Sequence, residues 1–206
     1  ITGSRAEYGL LYHVMQKIKK SKDLELQIVV TGTHLSSNYG NTLKEIENDG
    51  FKINHKLKIL SKHNTSKAVS NSIGTVMNKL PEIFNKLSPH LILILGDRYE
   101  IFAASIVALI YRIPIAHIHG GESTEGAFDE AMRHSITKMS HLHFVATEIY
   151  RKRVIQLGEH PDYVFHVGSV GIDSLLRLNL LNRAELQEAL GFLLGEKNLL
   201  VTFHPV

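Results

Sequence analysis

Short apolar runs alternate with helix-length amphipathic stretches along the chain, the pattern of βαβ units and a parallel sheet. An opening stub at Ile1 is followed by a helix from about Gly9 to Lys20, its apolar positions at Leu10, Leu11, Val14 and Ile18. Leu26–Val30 reads as a strand ended by Thr31-Gly32-Thr33, and a helix over Thr42–Asn48 stops at Gly50, a left-handed cap. A weak strand at Lys56–Leu60 precedes a polar loop and a long helix over Ser66–Leu87, which Pro81 is expected to bend or interrupt. Leu91–Leu95 is continuously apolar, as a strand covered on both faces should be. The series continues with a helix at Glu100–Tyr111, a strand at Pro114–Ile118 and a helix at Glu125–Met139. A strand at Leu142–Ala146, a helix at Glu148–Leu157 and a short strand at Tyr163–Val167 follow. Helical segments at Asp173–Leu178 and Arg183–Leu190 lead to a terminal strand at Leu199–Val206. The pattern predicts a doubly wound α/β domain.

Composition narrows the classes without choosing among them. The 206 residues suffice for one well-buried domain, and 44% hydrophobic with 21% charged residues is ordinary for a globular chain. Disordered, collagenous and low-complexity classes are excluded. With no cysteine there is no disulfide scaffold, thiolate zinc site or cysteine nucleophile. Lys and Arg total 23 against 20 acidic residues, a net charge of +3 beside 13 histidines, and the acidic residues are interleaved throughout. The one dense basic run, Lys17, Lys19, Lys20 and Lys22, ends a helix, where it favours the helix dipole and reads as a solvated face. The longest apolar run, Ile101–Tyr111, is too short to span a bilayer. Neither nucleic acid nor membrane is therefore expected as a partner. The chain opens as if the last residue of a strand were already in place, and it is expected to be a piece of a longer protein.

In open parallel sheets, ligands bind outside the carboxyl ends of the strands. Three polar clusters fall there: Ser4-Arg5-Ala6-Glu7-Tyr8-Gly9, Gly96-Asp97-Arg98, and His117-Ile118-His119-Gly120-Gly121-Glu122. The first is either a turn and helix cap with Arg5 facing solvent or an anion site, since helix amino ends and arginine forks both attract phosphate. The GxGxxG and GxxxxGK[ST] fingerprints are absent. Asp97 is placed either to cap the next helix or to do chemistry. His117 and His119 share a strand face and, with Glu122, admit a metal site. A lone HxH is a weak metal signal, and a satisfied core histidine and a tight glycine turn explain these residues better. Asp129 and Arg133 are i,i+4 partners suited to an ordinary helix salt bridge, yet their helix follows the glycine loop and its amino end must face the same crevice.

Taken together, TGSRAEYG, LGDRYEIF, IPIAHIHGGE, DEAMRHSITKMSHLHF and VGSVGID closely resemble the hydrolysing UDP-N-acetylglucosamine 2-epimerases of bacterial sialic acid synthesis. Related enzymes making legionaminic acid precursors share the pattern. The resemblance runs from Thr2 to Pro205. It implies the Rossmann-like amino-terminal half of a two-domain, glycosyltransferase-B-type fold spanning residues 1–206, with most of the nucleotide held by a second domain. The isolated half would then be inactive.

The implied reaction releases N-acetylmannosamine and the nucleotide diphosphate by elimination followed by hydration, with no cofactor and no metal. By position in the motifs, Asp97 and Asp129 match catalytic carboxylates. Arg5 and Arg98 match residues facing the diphosphate. Glu122 and His134 match residues lining the sugar site, and His204 a histidine near the domain junction. Several members read HIEGGE, with a catalytic glutamate where this chain has His119, so the acid/base role passes to His119 or to Glu122. The substitution fits a different sugar, such as the UDP- or GDP-linked diacetylbacillosamine of legionaminic acid synthesis. The resemblance further implies a cytoplasmic homodimer or homotetramer acting on a nucleotide sugar. Competing classes are a metal-dependent hydrolase on His117, His119, Glu122 and His134, a non-catalytic nucleotide-sugar-binding fragment, and a nonhydrolysing epimerase.

Overall fold

The structure is a computed structural model describing residues 1–60, 65–124 and 128–203. Its strands are β1 (Val29–Val30), β2 (His55–Lys56), β3 (Ile92–Leu95), β4 (Ile115–Ile118), β5 (Leu142–Val145) and β6 (Val164–His166). All pair in parallel, β1 with β2 and β3 through β6 in sequential order. The opening residues join the two ladders. Thr2 N–H donates to the Val29 carbonyl at 3.1 Å, and the Ile1 amino group donates to the Leu93 carbonyl at 3.2 Å. The spatial order is therefore β2, β1, the Ile1–Thr2 stub, β3, β4, β5, β6. Winding reverses between the stub and β3, where a doubly wound sheet opens its ligand crevice.

Helices cover both faces: α1 (Arg5–Lys20), α2 (Leu43–Asn48), α3 (Ser66–Leu87), α4 (Tyr99–Ile110), α5 (Asp129–Met139), α6 (Glu148–Gln156), α7 (Val170–Leu176) and α8 (Arg183–Leu190). Ile92, Ile94 and Ile115 point to one side, against Leu80 and Phe84 of α3, Val107 of α4 and Ile136 of α5. Leu95 and Ile118 point to the other, against Tyr8, Leu11 and Met15 of α1. Buried Ala103, Ala104 and Ala108 keep α4 thin, so α3 and α5 close in on both flanks.

Several expectations shift. Helix α1 starts at Arg5, four residues before Gly9, because Ser4 and Glu7 form a capping box. Ser4 Oγ accepts from Glu7 N–H at 3.3 Å, and the Glu7 carboxylate accepts from Ser4 N–H at 3.0 Å. The first full strand shortens to Val29–Val30 because the Ile28 N–H is taken by the Asn54 side chain at 2.8 Å. The weak strand moves to His55–Lys56. Pro81 does not interrupt α3: Val76, Leu80, Ile83 and Phe84 are buried on both sides of it and offset the one missing donor. Helix α7 begins at Val170 rather than Asp173. Of the expected terminal strand, Leu199–Phe203 is not a strand; those residues pair with no strand among the described residues, and Leu200 is 97% exposed. Its last three residues lie outside the described ones. Gly50, at φ +75°, ends α2 as expected. Lys17, Lys19, Lys20 and Lys22 are all exposed. No helix among the described residues is long and apolar enough to cross a membrane.

Candidate active site

Gly96 adopts φ +77°, which turns the chain sharply out of β3 and delivers Asp97 to the carboxyl edge of the sheet. Its carboxylate meets the Arg133 guanidinium, which rises from α5. Burial holds the Asp97 carboxyl above the usual carboxylate range and the nearby Asp129 carboxylate adds to this, while Arg133 opposes both. Asp129, the first residue of α5, lies close enough for its charge to be felt at Asp97.

The loop leaving β4 supplies the other side. His119 sits at φ +65°, uncommon for a residue with a side chain. Gly121 at φ +78° leaves no room for a Cβ, which would lie 2.6 Å from the Tyr150 carbonyl oxygen. The tight path brings His119 Nδ1 to 3.0 Å from Glu122 Oε1. Burial alone would raise Glu122, but the hydrogen bond from His119 and the Arg133 guanidinium overcome it and hold the carboxyl below its usual range. With Nδ1–H given to Glu122, the other ring nitrogen is free to take or give a proton. His119 Nε2 is buried and without a hydrogen-bond partner among the described residues.

Arg133 joins these loops. It is 7% exposed, and its Nη1 donates to the His119 carbonyl at 3.0 Å and lies 3.3 Å from Glu122 Oε2. Sequence reasoning treated it only as an i,i+4 partner of Asp129. Instead it turns to carboxylates on two other loops. A cation one turn behind the acidic start of a helix facing the crevice was the available signal.

The remaining candidates lie around this cluster. Arg98 Nε donates to Glu100 Oε1 at 2.7 Å, and Glu100 is wholly buried. Glu100 lies beneath Gly3, where a Cβ would come within 2.4 Å of its Oε1. Glu7, also buried, is pushed up to about 7 by burial first and then by the Glu100 charge. The stub loop and the β3 loop thus meet through Glu7, Glu100 and Arg98. Arg5 is not drawn in: its side chain is 74% exposed and pairs with Glu45 at 3.2 Å. His134, one residue past Arg133, turns off the Arg133 face and its Nε2 lies 3.6 Å from Glu130. His204 lies outside the described residues. Of the ring nitrogens the metal alternative would use, His117 Nε2 is bound to the Gly96 carbonyl at 2.8 Å and His119 Nδ1 to Glu122. Among the described residues no three histidines or carboxylates are placed to hold a metal ion. Chemically, the cluster offers a carboxyl pushed up, a carboxylate pushed down and a histidine oriented by that carboxylate. This is the division that lets one site hold both an acid and a base.

Known proteins match along the chain. Residues 16–206 fit a family model described as UDP-N-acetylglucosamine 2-epimerase. A GDP/UDP-N,N'-diacetylbacillosamine 2-epimerase (hydrolyzing) of Campylobacter jejuni is 43% identical over 206 residues, covering 100% of this chain and 53% of that protein. The Polysialic acid biosynthesis protein P7 of Escherichia coli is 42% identical over 205 residues, 100% of this chain and 52% of that protein. A UDP-N,N'-diacetylbacillosamine 2-epimerase (hydrolyzing) of Legionella pneumophila is 39% identical over 206 residues, 100% of this chain and 54% of that protein. Among solved structures, the Neisseria meningitidis UDP-GlcNAc 2-epimerase bound to UDP-GlcNAc superimposes with a TM-score of 0.75 at 23% identity, over 84% of this chain and 46% of that one. The Methanocaldococcus jannaschii enzyme in complex with UDP-GlcNAc and UDP gives a TM-score of 0.74 at 22% identity, over 85% and 47%. These likenesses carry the fold. The chain spans about half the length of the curated relatives it matches. By the match of its residues 16–206, it belongs to the UDP-N-acetylglucosamine 2-epimerase family.

Proposed function

We propose that this chain is the amino-terminal, Rossmann-like half of a hydrolysing nucleotide-sugar 2-epimerase. The observation that carries the reading is the cluster of Asp97, Glu122 and His119 around Arg133, with His119 Nε2 buried and without a hydrogen-bond partner among the described residues. A base removes the proton from C2 of the sugar as the C1–O bond breaks. The electron pair of that bond departs with the nucleotide diphosphate, and C1=C2 forms. Water then adds hydroxide to C1 while a proton returns to C2 on the opposite face. His119, oriented by Glu122, takes the acid/base place that a glutamate holds in other members. Asp97, its carboxyl pushed up, trades protons on the other side of the ring, with Asp129 beside it. Arg98 and Arg5 face the diphosphate, and His134 and His204 complete the sugar site and the domain junction. Arg5 leaves Glu45 to do so; that pair is exposed and costs little to break.

A second, nucleotide-binding half is supported by the surface it would cover. More than half of the exposed large apolar side chains lie between Ile172 and Phe203. The relatives named for diacetylbacillosamine favour a UDP- or GDP-linked diacetylated sugar over UDP-N-acetylglucosamine itself. Synthesis of sialic- or legionaminic-type acids, a cytoplasmic setting and a homodimer or homotetramer belong to the same proposal.

The test is NMR of the full-length protein with UDP-N-acetylglucosamine and with UDP- and GDP-diacetylbacillosamine in deuterated water. Free 2-epimerised sugar carrying deuterium at C2, with nucleotide diphosphate, is expected. Nucleotide-linked product, or no turnover of any of the three, overturns the reading.

A further inference from the structure

His117 is fully buried in β4, yet both its ring nitrogens reach groups on other elements. Nε2 lies 2.8 Å from the Gly96 carbonyl, on the loop that carries Asp97. A carbonyl only accepts, so Nε2 bears the hydrogen. Nδ1 is then the acceptor of the neutral ring, and it lies 3.3 Å from Thr137 Oγ1 on α5. Thr137 has one hydroxyl hydrogen, and the Arg133 carbonyl at 3.0 Å competes with Nδ1 for it, so the hydrogen is shared between the His117 ring and the residue whose guanidinium holds Asp97.

The ring has a place because of a glycine. A Cβ on Gly120 would come within 3.1 Å of His117 Nδ1 and 3.2 Å of Thr137 Oγ1, tighter than ordinary contact. Burial depresses the His117 pKa to about 3, so the ring stays neutral near pH 7 and the tautomer is constant. Neither nitrogen is open to substrate.

We propose that His117 is a positioning residue: as a rigid strut between the Gly96 carbonyl and Thr137, it fixes the direction in which Asp97 leaves β3 and the distance from Asp97 to α5. The proposal rests on Asp97 acting in the reaction described above. The register of the sheet explains why a strand residue can do this. Ile94 is level with His117, and Gly96 N–H makes the last bond of the ladder, to the Ile118 carbonyl at 3.0 Å, so the Gly96 carbonyl beyond it is the group that His117 holds. A displacement of about 1 Å at a reacting group costs on the order of 100-fold in rate.

Two substitutions in the full-length protein separate the strut from mere filling. Glutamine places its amide nitrogen near the Nε2 position and can still donate to Gly96. Asparagine reaches only the Nδ1 position and leaves the Gly96 carbonyl without its donor. His117→Asn should lower kcat by roughly 10–100-fold with KM for the nucleotide sugar unchanged, and His117→Gln should recover about ten-fold of that loss. Thr137→Val, which frees the other end of the ring, should lower kcat in the same manner by about 3–10-fold. Independently of turnover, the Asp97 carboxyl is titrated by 13C NMR. Its midpoint should move in His117→Asn and return towards the wild-type value in His117→Gln. Equal losses in both His117 variants, a change confined to KM, or an Asp97 titration unmoved by asparagine would overturn the proposal. A wild-type protein that turns over no nucleotide sugar would overturn the functional reading instead, and the Asp97 titration would still decide the role of His117.

Discussion

Arg133 and Asp97, 36 positions apart in the chain, form an ion pair in which a guanidinium rising from α5 meets the carboxylate leaving β3. The same guanidinium reaches Glu122 and the His119 carbonyl, so one buried cation holds two anionic loops to one helix. Its removal leaves the Asp97 carboxylate without its cation, and Glu122 with His119 alone. Its presence sets Asp97 and Glu122 apart in acidity, because Glu122 also has His119 and Asp97 does not.

Asp97→Asn and Arg133→Met should therefore behave differently although they break the same pair. The asparagine variant leaves Arg133 with Glu122, and it should abolish nucleotide release while the thermal midpoint stays near that of wild type. The methionine variant strands buried carboxylates and should lose about 3 kcal/mol of stability as well as activity. Thermal unfolding beside a nucleotide-release assay checks both. Retained turnover in Asp97→Asn would remove that residue from the chemistry.

His119→Ala should lower kcat by roughly 100–10,000-fold, the range for losing a positioned acid or base. His119→Glu should keep part of the activity, since a carboxylate at this position is the form other members carry. Total loss in both variants with an intact fold would mean that the backbone at φ +65°, rather than the imidazole, is what this position contributes.

The loops after β3 and β4 were legible because their residue types are unusual at strand ends. GDR and HGGE read directly as a crevice, and the alternation of apolar runs gave the sheet. Arg133 was not, because the i,i+4 rule sees one helix, while the approach of a loop 36 residues away is a tertiary fact. For Arg5 the sequence left both a solvent-facing cap residue and an anion ligand open, and its exposed pair with Glu45 depends on a helix 40 residues away that local reading does not see. The start of α1 was written in the capping box of Ser4 and Glu7, ahead of the apolar periodicity that begins at Leu10.

Gly121 is held between φ +78° and the backbone of α6. An alanine Cβ there would lie 2.6 Å from the Tyr150 carbonyl oxygen and 2.8 Å from Val154 Cγ2. Gly121→Ala should cost about 1–3 kcal/mol and displace His119 and Glu122 together. The expected result is a lower thermal midpoint with kcat reduced more than KM is raised. A variant with wild-type stability would show that the loop has another path.

Glu7 gives the fold a dependence on pH whose sign is opposite to that of most carboxylates. Burial, then the charge of Glu100, raises its pKa from 4.5 to about 7, and the Gly3 N–H and Arg98 offset this only in part. Between those values the folded protein keeps a proton that the unfolded chain has released. Stability is therefore greatest, as far as Glu7 is concerned, below the unfolded value, and it falls as pH rises towards about 7. The full loss is on the order of 3 kcal/mol. Glu7→Gln keeps an oxygen for the Gly3 and Ser4 N–H groups and carries no charge at any pH, so it should abolish this slope. The thermal midpoint of the glutamine variant, relative to wild type, should rise by several degrees from pH 5 to pH 8. If the two proteins instead shift in parallel, the carboxyl at Glu7 is already ionised at the lower pH and the Glu7–Glu100 pair holds no proton.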